Sequence, residues 1–152
     1  MKIVIINYGA GNIQSIKFAI QRLGHEAILS HDIEEIQYAD KVIFPGVGEA
    51  SSAMKKLRDS QLDSLIPDLK QPVLGICLGM QLMCNFSEEG NTKGLGIFNT
   101  DVVKFSNAVK VPQIGWNQIS NLKSAVFKEV RENEHIYLVH SFYAPLCDET
   151  IA

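Results

Sequence analysis

Disulfide staples are the first thing this sequence cannot supply. Its three cysteines, Cys77, Cys84 and Cys147, are an odd number with no Cys-x-x-Cys pair, which fits neither a disulfide framework nor a zinc site. A reducing, cytoplasmic setting is the simplest expectation, with no metal and no cofactor. Basic charge is scarce as well. Fourteen Lys and Arg stand against 17 Asp and Glu, a net charge of −3, so there is no patch for phosphates and a nucleic-acid partner is not expected. The densest basic group, Lys55-Lys56-Leu57-Arg58, reads as the solvated face of a helix. No apolar run approaches the roughly 20 residues that span a bilayer. The N-terminal KIVIIN run is too short for a signal sequence and meets a glycine turn where a cleavage site would stand. A membrane is therefore not an expected partner.

What remains is ordinary globular material. Hydrophobic residues make up 46% of 152 residues, enough for one domain with its own core. Lys2–Asn7 (KIVIIN), Lys41–Phe44 (KVIF) and Pro72–Ile76 (PVLGI) are near-continuous apolar runs, expected as strands buried on both faces of a parallel sheet. Glu26–Ser30 reads as a further short strand. Between them, Asn12 is a good N-cap for a helix whose inner stripe is Ile13, Ile16, Ile20 and Leu23, closed by Gly24. A weak helix follows at Asp32–Gln37, then a helix at Ala50–Asp59 with Ala53, Met54 and Leu57 inward, and an amphipathic segment at Gln61–Leu69 whose Pro67 should bend or interrupt it. A helix is expected from Met80 to Cys84. Four strand-then-helix alternations predict an α/β fold: a doubly wound, mostly parallel sheet with helices on both faces. Beyond Ser87 the pattern changes. Glu88–Gly96 reads as a loop, Ile97–Phe105 and Ile136–Val139 as strands, VPQIGWN as a Pro/Gly loop and Val126–Val130 as a short helix.

In an open parallel sheet, ligands sit outside the carboxyl ends of the strands. Three glycine turns fall there: Tyr8–Gly11, Pro45–Gly48 and Cys77–Gly79. The first shows Gly9-x-Gly11, but Gln14 replaces the third glycine of a dinucleotide fingerprint and only Asp32 could play the ribose-binding acid. A tight strand–helix turn is the better reading. The third turn is the informative one. Gly75-Ile76-Cys77-Leu78-Gly79 is the thiol form of a nucleophile elbow, in which a strand turns abruptly into a helix and lifts the middle side chain above the sheet. A helix start favours the reactive thiolate, and its amides can take up charge from an attacked carbonyl. Cysteine is often just a small buried hydrophobe, the expectation for Cys84 and Cys147. Core packing alone, however, gives no reason for glycines on both sides of Cys77. Oxyanion holes of elbow enzymes draw a second amide from a neighbouring strand–helix loop, and Pro45-Gly46-Val47-Gly48 can supply it.

The stretch GICLGMQLM, together with NYGAGNI at 7–13, PGVGEA at 45–50, VPQIGWN at 111–117 and VHSFY, resembles the class I glutamine amidotransferases. Within them it is similar to the glutaminase subunits of imidazole glycerol phosphate synthases, in the same order along the whole chain. The resemblance implies that Cys77 attacks the side-chain amide of L-glutamine, with the backbone of Val47 and Leu78 as oxyanion hole. It implies that Gly48, Gln81, Glu89, Ser141 and Phe142 hold the amino-acid moiety. It also implies delivery of ammonia to a (β/α)₈-barrel synthase subunit in a heterodimer of histidine biosynthesis. Asn12 and the loop Pro112, Gln113, Ile114, Gly115, Trp116, Asn117 would face that partner.

The family's catalytic base lies in a His-x-Glu near the C-terminus. None of His25, His31, His135 and His140 is followed two residues later by Glu. The expectation is therefore a single amidotransferase domain over 1–152 that lacks the C-terminal segment, keeping binding and the oxyanion hole while losing most turnover. Two other readings compete. One is a different elbow enzyme, such as a cysteine peptidase or redox thiol protein, against which Gln81 and the PGVG turn argue. The other is a non-catalytic interaction subunit. An ammonia-donating paralogue serving another synthase also fits the motifs.

Overall fold

A computed structural model describes residues 1–152. Four parallel strands form the main sheet: β1 (Ile3–Ile6), β2 (Ala27–Ser30), β3 (Lys41–Phe44) and β4 (Val73–Gly75), in the order β2-β1-β3-β4. The pairing is in simple register, Ile3 opposite both Ala27 and Lys41, and Val42 opposite Val73. Alternation along β1 sends its side chains to two cores. Val4 and Ile6 meet Ile36 of α2 (Ile33–Gln37), Met54 and Leu57 of α3 (Ala50–Asp59), Ile66 of α4 (Leu62–Asp68) and Leu82 of α5 (Leu78–Leu82). Ile3 and Ile5 pack with Ile20 of α1 (Ile13–Arg22) on the opposite face. Helices thus cover both faces, as the alternation of elements predicts. Asn12 caps α1 and Asp32 caps α2, its carboxylate accepting from the Glu35 amide at 2.7 Å. That use of Asp32 favours the plain-turn reading of the first glycine motif.

The central strand β1 is fully buried, but β4 is not: Leu74 is 47% exposed. The expectation of burial on both faces fails there because β4 is the outer strand, paired only with β3. The next helix also differs from expectation. It starts at Leu78, directly after Cys77, and ends at Leu82, because Cys84 is drawn into a new strand, β5 (Cys84–Ser87). Strand β5 lies in a second sheet, order β10-β7-β5-β6, with β6 (Thr92–Lys93), β7 (Phe98–Lys104) and β10 (Phe142–Tyr143). The VPQIGWN segment is likewise no loop. Gln113–Gln118 form β8, antiparallel to β9 (His135–His140), with Trp116 opposite Tyr137. Its alternation of Ile114 and Trp116 on one side with Gly115 and Asn117 on the other was hidden by the proline and glycine. A 3₁₀ turn at Ala125–Phe127 replaces the short helix expected at Val126–Val130.

Candidate active site

Because β1, β3 and β4 are parallel neighbours, the turns that leave them emerge at one edge. Cys77 sits at the corner between β4 and α5, with φ 54° and ψ −118°. A left-handed φ is uncommon for a residue with a Cβ and costs about 1–3 kcal/mol, which the surroundings must hold in place. They do so through three bonds: the Ile76 amide donates to Phe44 O at 2.9 Å, Gly79 to Ile76 O at 3.0 Å and Gln81 to Cys77 O at 3.1 Å. The flanking glycines are sterically required. A Cβ on Gly75 would lie 2.7 Å from Met80 Cα, and one on Gly79 would collide with the Phe44 carbonyl. The thiol itself is exposed. By contrast, Cys84 is buried, and burial first, then Cys147 and Asp101, push its thiol up to about 11. Only one of these two sulfurs is set up to react.

The second turn is pressed against this corner. Pro45 and Gly46 are buried, and a Cβ on Gly46 would collide with the Gly79 amide nitrogen and approach Leu78 Cβ to 2.8 Å. Beyond Gly46 the turn opens: Val47 is 52% exposed, and Gly48, at φ 97°, has nothing near its Cβ position. Neither the Val47 amide nor the Leu78 amide donates a hydrogen bond within the protein. Two unspent donors therefore border the nucleophile.

A cavity of 270 Å³ joins these groups, lined by Val47, Gly48, Cys77, Leu78, Gln81, Glu89 and residues 139–142. That volume lies near the lower end for small-molecule sites, suited to an amino acid more than to a dinucleotide. Its one carboxylate is Glu89, whose Oε2 accepts from the Ala50 amide at 3.0 Å. Burial, aided by the neighbouring Glu49 charge and opposed by that amide, raises its pKa above the ordinary carboxylate value. On the opposite wall, Phe142 O accepts from Gln81 Nε2 at 3.0 Å and pairs with His140 Nδ1 at 2.8 Å. Since a carbonyl only accepts, His140 Nδ1 carries the proton in that contact. A larger cavity of 360 Å³ lies on the Met80 side of α5. It excludes Cys77 and offers mostly apolar walls, so the smaller one is where chemistry is possible.

All of Cys77, Val47, Leu78, Gly48, Gln81, Glu89, Ser141 and Phe142 thus share one cavity, although they come from distant parts of the chain. Asn12 and Pro112 to Asn117 lie outside it. Asn12 is exposed as the α1 cap, and Trp116 is 69% exposed, touching Tyr137 edge-on at 5.5 Å. Two groups at the site carry no role in the sequence reading, which weighs His140 only as a base and sets it aside. His140 lines the cavity, and Tyr8 reaches under the second turn, its hydroxyl donating to Pro45 O at 2.7 Å. Only the placement of Tyr8 directly after β1, at the ligand-binding edge, could have flagged it.

Comparison with known proteins agrees with this geometry. Residues 4–150 match the family model described as glutamine amidotransferase class-I. The chain is 55% identical over 155 residues to the imidazole glycerol phosphate synthase subunit HisH of Bacteroides fragilis, covering 100% of this chain and 79% of that relative. It is 42% identical to the protein of the same name from Vibrio parahaemolyticus, covering 99% and 78%. Among solved structures, a glutamine amidotransferase superposes with a TM-score of 0.70 at 18% identity, over 96% of this chain and 75% of that one. At that identity the likeness speaks for the fold.

Proposed function

From the premise that the chain belongs to the class I glutamine amidotransferase family, we propose that it is the glutaminase subunit of an imidazole glycerol phosphate synthase. The observation that carries this reading is the exposed, strained thiol of Cys77 flanked by the free amides of Val47 and Leu78. In this mechanism the Cys77 sulfur attacks the side-chain carboxamide carbon of glutamine. The developing oxyanion is taken up by the two amides, a role worth about 10²–10³ in rate for each donor. The tetrahedral species collapses with loss of the protonated amine as ammonia, leaving a glutamyl thioester. Water hydrolyses that thioester to glutamate and restores the thiol. In this reading Glu89, the one acid in the cavity wall, holds the substrate's α-ammonium, and Gly48, Gln81, Ser141 and Phe142 close around the amino-acid end. The His-x-Glu pair that the family uses as base does not occur within residues 1–152. These residues therefore carry the nucleophile, oxyanion and substrate-holding parts of the machinery.

Ammonia then passes to a (β/α)₈-barrel synthase subunit, the two acting as a cytoplasmic heterodimer. Support comes from the exposed face of the β8–β9 hairpin, where Trp116 stands out beside Ile114 and Tyr137. Rigid aromatics of this kind anchor interfaces. No helix is long and apolar enough to cross a membrane. The test is glutamate release from glutamine by the complex of subunit and barrel synthase, alongside labelling by a glutamine-derived diazoketone. Turnover that vanishes in Cys77→Ala, and labelling confined to Cys77 and blocked by glutamine, are the expected results. Equal labelling of Cys84, or no protection by glutamine, would refute the reading.

A further inference from the structure

Tyr8 lies outside every role given so far, yet it is 5% exposed and at the heart of the site's edge. Its ring packs on Phe44 at 5.6 Å between centroids, and its hydroxyl donates to Pro45 O at 2.7 Å. Pro45 is itself among the most fully buried residues, and as a proline it has no N–H. The carbonyl is its sole backbone hydrogen-bonding group, and without Tyr8 it would be a buried acceptor with no partner. The far side of Pro45 is held too: a Cβ on Gly11 would lie 2.7 Å from Pro45 Cβ, so the first glycine turn is seated directly on the proline ring. Gly46 follows, locked against the Gly79 amide. The Pro45–Gly46 peptide is thus fixed on three sides, while Val47 and Gly48 beyond it are open. The direction of the Val47 amide is set by where that fixed peptide ends.

We propose that Tyr8 is a positioning residue for glutamine hydrolysis: its hydroxyl, by holding the Pro45 carbonyl, sets the plane from which the Val47 amide is aimed at the oxyanion. This rests on the glutaminase reading above. Burial first, and the nearby Cys77 second, raise the Tyr8 pKa above that of an ordinary tyrosine, so the hydroxyl remains a donor across the working range of pH. The same residue explains why the first glycine turn stands beside the site without offering a ligand cradle. It buttresses the second turn.

The test is Tyr8→Phe in the complex with the barrel synthase. This substitution keeps the ring packing and removes only the donor. An amide misaimed, rather than lost, should lower kcat for glutamine hydrolysis by about tenfold, short of the ~10²–10³ that removing an oxyanion donor costs. KM for glutamine should stay unchanged, because the interaction matters in the transition state alone. Active sites are counted by iodoacetamide titration of Cys77, so that a partly unfolded population cannot imitate the effect. Lys56→Met removes the other tie to the first turn, Lys56 Nζ to Gly9 O at 2.8 Å, and should leave kcat within about twofold of wild type. An unchanged kcat per titrated site in Tyr8→Phe would overturn the proposal, as would an equal fall in Lys56→Met. Absence of glutamine turnover in the barrel-synthase complex of the full-length wild-type subunit would overturn the glutaminase reading and this one together.

Discussion

Residues 1–83 hold nearly every buried side chain of the molecule, whereas from Cys84 onward only Cys84, Ser87, Thr92 and Val102 are buried, and none after Val102. The earlier region carries Cys77, Val47 and Leu78; the later one contributes Glu89 and the 139–142 wall of the cavity. On the proposed reading, the sulfur and the oxyanion amides are clamped by backbone-to-backbone contact at glycines, while part of the cavity wall, Val139 and His140, belongs to a hairpin with exposed apolar side chains. Ile114, Trp116, Tyr137 and Val139 are each more than half exposed. An apolar face of that kind marks an interaction surface. On that reading, the nucleophile's geometry is fixed by the domain's own core, and substrate holding is shared between Gly48 and Gln81 of that region and Glu89, Ser141 and Phe142 beyond it.

The sharpest way to break this division is to compare loss of the sulfur with a disturbed clamp. Cys77→Ala should abolish turnover, by at least ~10⁴-fold in kcat, with the fold intact. Gly79→Ala should match that loss for a different reason, since its methyl would run into the Phe44 carbonyl. Such overpacking costs about 1–3 kcal/mol and moves the elbow off the second turn. Measured together, glutaminase rate and thermal unfolding separate the two: activity alone falls in Cys77→Ala, and both fall in Gly79→Ala. A Gly79→Ala protein with wild-type kcat would show that the glycines are not a clamp.

A second comparison sets core against hairpin. Leu57 is fully buried against β1 and β3, and Leu57→Ala should cost about 2–5 kcal/mol of unfolding free energy. Trp116→Ala should cost the isolated subunit less than about 0.5 kcal/mol. It should instead weaken binding of the barrel synthase by about 2 kcal/mol, roughly 30-fold in Kd. Denaturant unfolding and a binding titration check the pair. Equal destabilisation by both substitutions would erase the distinction between the regions.

The same division decided what could be read from the sequence. In residues 1–83 strands are short and apolar, and β1 and β3 are central, so hydrophobic runs and glycine turns map directly onto elements, and the α3 boundaries at Ala50 and Asp59 match expectation. The failures are local. Leu74 lies on an edge strand, and sheet order is not visible in a run of apolar residues. Beyond Met83 the strands face solvent or cavity on one side, and Gln113–Gln118 pair across a 16-residue connection to His135, so neither a tight-turn signal nor a continuous run announced them. The cavity residues were legible through motif resemblance rather than through periodicity. Tyr8 was not, because a hydroxyl reaching a carbonyl 37 positions away depends on strand order and leaves no mark in spacing.

The smallest predicted effect tests whether Glu89 belongs to the recognition side. Burial, with the Glu49 charge, raises its pKa, while the Ala50 amide pulls the other way. Holding an α-ammonium needs the carboxylate. On acidification Glu89 should therefore lose its charge at a pH above the ~4.3 of an unperturbed glutamate, and KM for glutamine should rise several-fold there while kcat holds. Stability carries the opposite sign. A folded-state pKa raised above the unfolded one means the charged form burdens the fold, so this residue's contribution improves as pH falls through the raised value. Glu35 and Glu49, whose pKa values are lowered by hydrogen bonds to Ser30 and Lys2 and to Ser52 and Ser51, work the other way and lose stability on acidification. The informative quantity is then the difference between wild type and Glu89→Gln. As pH drops, the KM gap should close and the gap in unfolding temperature should narrow with it. A KM that climbs identically in both proteins would place the titrating group elsewhere and remove Glu89 from the substrate's ammonium.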